Sequence, residues 1–117
     1  MRNDKENIII QKTFEFSLNV ISFTEELRND KKFEMASQLF KSGTSIGANV
    51  REAQNSESTA DFIHKFKIAA KEGDETQYWL ELCEKSNFLP QPKPQLIIDL
   101  NIIMKIISKI ISSAKKR

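Results

Sequence analysis

The sequence predicts an all-α chain, an up-down-up-down antiparallel four-helix bundle with helices over about 7–29, 33–54, 59–86 and 94–114. Three observations carry that prediction. Apolar residues recur at helical spacing through four long segments. Gly and Pro number only three each in 117 residues, and all the Pro fall between 90 and 94, so little interrupts the segments. The connections between the segments are short, which makes successive helices antiparallel neighbours. The length fits a single domain, 1–117, able to bury a core without disulfides or metal.

In the first segment Ile9, Phe16, Val20, Phe23 and Leu27 form one apolar ridge, and Ile10, Phe14, Leu18 and Ile21 a second. Small Thr13, Ser17 and Thr24 lie between them, and Gln11, Lys12, Glu15, Asn19, Ser22 and Glu26 make the polar side. The stretch Asn29-Asp30-Lys31-Lys32 is the turn.

The second segment holds the predicted central seam. Ala36, Leu39, Phe40, Gly43, Ile46, Gly47, Val50 and Ala53 share one face, yet its middle is Gly, Ser and Ala. Each interior Gly costs roughly 1 kcal/mol of helix propensity relative to Ala, so two of them four apart imply a neighbour at short range. The expected neighbour is the third helix. Counting back from the intervening turn places Ala69 opposite Gly43, and Phe66 near Gly47, ring over glycine.

Ser58, with Asp61 three residues on, marks the start of the third helix as an N-cap. Phe62, Phe66, Ala69, Gly73, Thr76, Leu80 and Cys83 follow at alternating spacings of four and three, a coiled-coil-like seam. A second row on this helix is Ile68, Glu72, Glu75, Trp79 and Leu82. Pro90, Pro92 and Pro94 make a semi-rigid connection, with Pro94 suited to the first position of the last helix. That helix is so rich in Ile that its apolar arc covers roughly 220°, against the ~100° or somewhat more of an ordinary surface helix. Contact between protomers is the expected use of the excess, with Tyr78, Trp79, Ile97 and Met104 as the candidate oligomer interface.

A single cysteine, Cys83, excludes an internal disulfide framework and suits a reducing compartment. The charged N-terminus does not read as a signal peptide, and Asp99, Asn101, Lys105, Ser108 and Lys109 interrupt the last helix well short of a membrane span. A cytoplasmic location is therefore expected. The net charge of +2 hides an uneven distribution. In an up-down bundle twelve cations and six anions gather toward one end, giving +6, and six cations against ten anions leave the other end at −4. Arg51, Lys65, Lys67, Lys71, Lys105, Lys109, Lys115, Lys116 and Arg117 are the candidate RNA-binding residues at that basic end. The alternative is that Lys105 and Lys109 pair with Glu72 and Glu75 across the last two helices, leaving 115–117 as a solvated tail. Apart from Phe66 of the apolar seam, no aromatic residue interleaves the basic positions along the chain, as base-stacking surfaces usually require.

No catalytic, metal or cofactor site is predicted. A di-iron bundle needs Glu-x-x-His on two helices, and the chain has one histidine, His64, which reads as a surface residue beside Lys65. Cys83 continues the apolar seam with no base assigned to it. Gly43 and Gly47 lie within a helix rather than after a strand, so they are not a phosphate loop.

The segment Ser45-Ile46-Gly47-Ala48-Asn49-Val50-Arg51-Glu52-Ala53 resembles the small four-helix-bundle proteins of the 23S rRNA intervening-sequence family. The likeness continues through Ser58, Asp61-Phe62-Ile63-His64-Lys65, Ile68-Ala69, Lys71-Glu72, Glu75-Thr76 and Tyr78-Trp79-Leu80, about the middle half of the chain. Gly47 stands where many such proteins carry Pro, and Gly73 where Ala is expected. The resemblance implies a cytoplasmic up-down bundle, often a ring of five, with relatives that contact RNA and a reverse transcriptase. It implies no catalytic residues. Together these readings predict a non-enzymatic homo-oligomer binding RNA or a ribonucleoprotein partner through the basic end. A protein–protein adaptor ring without a nucleic-acid role is the alternative.

Overall fold

Four helices, α1 (Asp4–Asn29), α2 (Phe33–Ala53), α3 (Thr59–Lys85) and α4 (Pro94–Ala114), make up the computed structural model. It describes residues 4–117, with side chains from residue 8 onward, and contains no strand among them. Arg2, and the side chains of Asp4, Lys5 and Glu6 that entered the charge count, lie outside the described residues. Each helix packs on the next and α4 closes on α1, so one shared core lies among all four.

The contacts that join α1 to α2 and α2 to α3 run in opposing numerical order. Gly43 of α2 lies against Val20 of α1, and Gly47 against Thr13. Ser42 and Thr76 link α2 to α3 by a buried hydroxyl pair at 2.9 Å, while Lys65 meets Glu52 further along. Gly73 of α3 lies under the Met104 thioether of α4.

The α3 seam is buried at all seven predicted positions, and Phe62 and Phe66 sit 4.8 Å apart, centroid to centroid. In α1 the ridge Ile9, Phe16, Val20, Phe23 and Leu27 is buried together with Thr13 and Thr24. The hydroxyls of these two threonines donate to the carbonyls of Ile9 and Ile21 within their own helix, which removes the cost of burying them.

Two parts of the predicted packing differ. The glycines of α2 face α1 and not the phenylalanines of α3. Ser42 points its hydroxyl at α3, and Gly43, one residue and ~100° further round the helix, therefore faces the other neighbour. The second ridge of α1 is largely on the surface: Phe14 is 52% exposed and Leu18 50%. Phe40 of α2 is likewise exposed, since α1 already fills the groove beside Gly43.

The helix ends follow local chemistry. Ser58 accepts a hydrogen bond from the Asp61 amide at 3.0 Å, capping α3, and Pro94 opens α4. After α1, the Lys31 amide donates to the Arg28 carbonyl and the Lys32 amide to the Leu27 carbonyl. This is the double bond pattern that closes a helix through a left-handed residue. That residue is Lys31, at φ 63°, a position glycine fills without a Cβ penalty. Lys31→Gly is expected to stabilise the fold by roughly 0.5–1 kcal/mol, read as a rise in denaturant midpoint at constant slope.

Candidate functional site

The cationic residues predicted as a site fall into three groups. Arg51, at the end of α2, is exposed and lays its guanidinium over the Phe14 ring of α1, 5.7 Å from the centroid. Arg117 lies over Phe62 at 5.3 Å. Lys65 is half-buried and pairs with Glu52 at 3.4 Å. These contacts bring the end of α2, the start of α3 and the chain beyond α4 to one place. Lys67, Lys71, Lys105, Lys109, Lys115 and Lys116 are all exposed.

The expected cross-helix pairing is not formed. Neither Lys105 nor Lys109 makes an ion pair with Glu72 or Glu75 among the described residues. Burial and the neighbouring Glu75 carboxylate raise the Glu72 pKa above its ordinary value, and Lys41 and Lys71 offset that only in part. The cations around Glu72 thus come from α2 and α3, and the α4 lysines stay in solvent.

Phe14, Phe40 and Arg28 are surface features that the linear pattern does not reveal. Arg28 sits 5.6 Å over the Phe40 ring, so each described arginine rests on a phenylalanine. A planar guanidinium resting on a ring face is held in one orientation, which a lysine cannot reproduce. The aromatic partners missing along the chain are supplied from across a helix interface. Only the two exposed apolar ridges, one phenylalanine on each of α1 and α2, could have signalled them.

Between Phe14 and Arg51 runs a groove of about 290 Å³ whose floor is Thr13, Ser17, Thr44, Gly47 and Ala48. The segment 45–53 builds much of this surface. Its Ile46, Val50 and Ala53 enter the core, Gly47 admits α1, Arg51 stacks on Phe14, and Glu52 holds Lys65. Asn49 ties back to the Ser45 carbonyl at 2.9 Å. Residues 5–111 match the sequence profile of the family described as 23S rRNA-intervening sequence protein.

The chain belongs to that family. The 23S rRNA-intervening sequence protein fold is also seen in a solved relative, a protein of unknown function from the S23 ribosomal protein family of Bacteroides thetaiotaomicron VPI-5482. It is 40% identical, superposes with a TM-score of 0.86, and the match covers 92% of this chain and 98% of that one. No curated protein matches the sequence.

The candidate interface residues Tyr78 and Trp79 lie on α3, and Ile97 and Met104 on α4. Tyr78 is 57% exposed and meets Trp79 edge-on at 5.2 Å. Ile97 is half-buried. Met104 is half-buried, and its thioether occupies the space left by the missing Gly73 side chain. Ile98 and Ile102 are the large apolar residues of α4 that stay exposed. His64 is exposed, and among the described residues no cluster of His, Cys, Asp and Glu could hold a metal ion. Among the described residues no helix is long and apolar enough to cross a membrane.

Proposed function

We propose that this 23S rRNA-intervening sequence protein is a non-enzymatic, cytoplasmic, homo-oligomeric up-down-up-down bundle that binds RNA or a ribonucleoprotein partner through its basic end. The opposing order of the inter-helix contacts supports the up-down arrangement, and with it the gathering of Arg51, Lys65, Lys67 and residues 115–117 at one end. The observation that carries the reading is Arg51 resting on the exposed Phe14 ring, with Arg117 anchored over the buried Phe62, beside exposed lysines. Cation and ring together are what a flexible RNA strand uses, phosphates on one and bases on the other. The family's name ties its members to rRNA, which favours the same ligand.

Removing Lys115, Lys116 and Arg117 while changing Lys65 and Lys67 to Glu is expected to weaken binding of an rRNA fragment and flatten its salt dependence. The slope of log affinity against log salt should fall by roughly 0.7 for each single-strand phosphate that is no longer neutralised. Unchanged affinity and slope would sink the reading.

The adaptor reading is favoured by the exposed Phe14, Leu18, Tyr78, Ile98 and Ile102, which suit burial between protomers. A ring of five is what the resemblance implies. Light scattering at micromolar concentration should report an oligomer, and Leu18→Glu or Ile102→Glu should reduce its mass. Capture of a protein partner that survives nuclease, with no salt-sensitive RNA retained, would move the conclusion to the adaptor.

A further inference from the structure

On α2, Thr44, Gly47, Ala48 and Arg51 follow at spacings of three, one and three, which puts all four on one side of the helix. Thr13, Phe14 and Ser17 form the matching row on α1. Where the rows meet they leave the groove of about 290 Å³ that runs from the basic end between α1 and α2. It stays open because Gly47 and Ala48 have almost no side chain to fill it.

The charge of this groove sets it apart. Arg51 is exposed and has no carboxylate partner among the described residues, its neighbour Glu52 being held by Lys65. No acid lines the groove. Three other grooves each carry a carboxylate: Glu34 in one, Glu26 and Asp99 in a second, Glu15 and Asp99 in the third. An anionic occupant is therefore suited to this one. Its hydrogen bonding is equally one-sided. The hydroxyls of Thr13, Ser17 and Thr44 donate to the carbonyls of Ile9, Thr13 and Phe40 within their own helices, at 2.7, 2.9 and 2.6 Å. Their protons are committed, so what they can still offer a ligand is lone pairs. The groove thus combines one unpaired cation, the exposed Phe14 ring and a floor of acceptors. Its volume lies at the lower end of ligand pockets, which start near ~300 Å³, and suits one flat group rather than a helix.

We propose that the groove takes one unpaired base of an RNA strand, the base against Phe14, its exocyclic amino group donating to Ser17 and Thr44, and an adjoining phosphate on Arg51. The proposal rests on the reading of the basic end as RNA-binding and narrows that reading to single strands. A base within a duplex has its faces stacked and its amino group paired, so it cannot enter. Cytosine presents an amino donor where uracil presents a carbonyl, and a floor of acceptors favours the donor.

Fluorescence anisotropy of the full-length protein with three RNAs tests this: oligo(C), oligo(U) of the same length, and a hairpin with the same number of phosphates. Oligo(C) is expected to bind roughly five- to tenfold more tightly than oligo(U), and the hairpin more weakly than either strand. Ala48→Leu fills the groove from an exposed position and removes no cation. It should weaken oligo(C) roughly tenfold while the salt slope and the thermal midpoint stay as they were. Ser17→Ala with Thr44→Val removes two half-buried acceptors and should bring oligo(C) down to oligo(U) without weakening oligo(U). Equal affinity for the two strands, a hairpin bound as well as a strand, or an unaffected Ala48→Leu would overturn the groove and leave the basic end standing. Absence of any salt-sensitive RNA binding would overturn both. A fall in native mass in Ala48→Leu would assign the groove to a second copy of the chain and overturn the proposal as well.

Discussion

Ile107→Lys is expected to abolish cooperative folding, seen as loss of the helical circular dichroism signal at 25 °C or a thermal midpoint below that temperature. Ile107 is only 1% exposed, on the face of α4 that includes Leu100, Ile103 and Ile110. A lysine there must either bury an unpaired ammonium or pull α4 away from the core. Either route costs roughly 4–5 kcal/mol or more, most of the ~5–15 kcal/mol that a domain has in total. Ile103→Lys should behave the same way, for the same reason. Ile98→Lys and Ile102→Lys are the controls. Both positions are at least 40% exposed, so those variants should fold with changes within about 1 kcal/mol. Folding of Ile107→Lys with a normal midpoint would show that α4 does not present this face to the core.

Gly43→Ala is expected to destabilise the fold by about 2 kcal/mol, while Gly47→Ala stays near neutral. A Cβ at 43 would lie 2.8 and 2.9 Å from the two methyls of Val20. Val20 is buried and β-branched, with one favoured rotamer in a helix, so it cannot swing aside and the backbones must separate. The better helix propensity of Ala returns only about 1 kcal/mol. At 47 the nearest atoms belong to Thr13 at 3.3 Å, and a shift of a few tenths of an ångström suffices. Denaturant melts of the two single variants, and of Gly43→Ala with Val20→Ala, test the assignment. The double variant should recover part of the loss, because it empties the space the new methyl needs. A neutral Gly43→Ala would mean that α1 and α2 do not meet at this point.

The four helices and the α3 seam were legible because large apolar residues at regular spacing can satisfy only one buried face, and Ser58 and Pro94 act locally. The partner of Gly43 was not legible. A small residue announces that something comes close, but α2 has a neighbour on either side, and only the direction of Ser42 toward Thr76 decides between them. The surface position of Phe14 and Phe40 is hidden for a related reason. Two ridges on α1 read alike in sequence, yet two adjacent helices cannot cover every side of a third. Of the candidate site, the cationic positions were legible by charge alone. The Arg28–Phe40 and Arg51–Phe14 stacks depend on the register between α1 and α2, and the Arg117–Phe62 contact on where the chain beyond α4 meets α3. Neither is encoded within a single helix.

Cys83 gives the bundle a built-in clock. Burial pushes its thiol up to about 11, and none of its surface meets solvent, so the folded chain offers a modifying reagent neither access nor thiolate. Every modification event therefore counts an excursion in which α3 has left its neighbours, and the pace of labelling measures how often the protein lets go of itself.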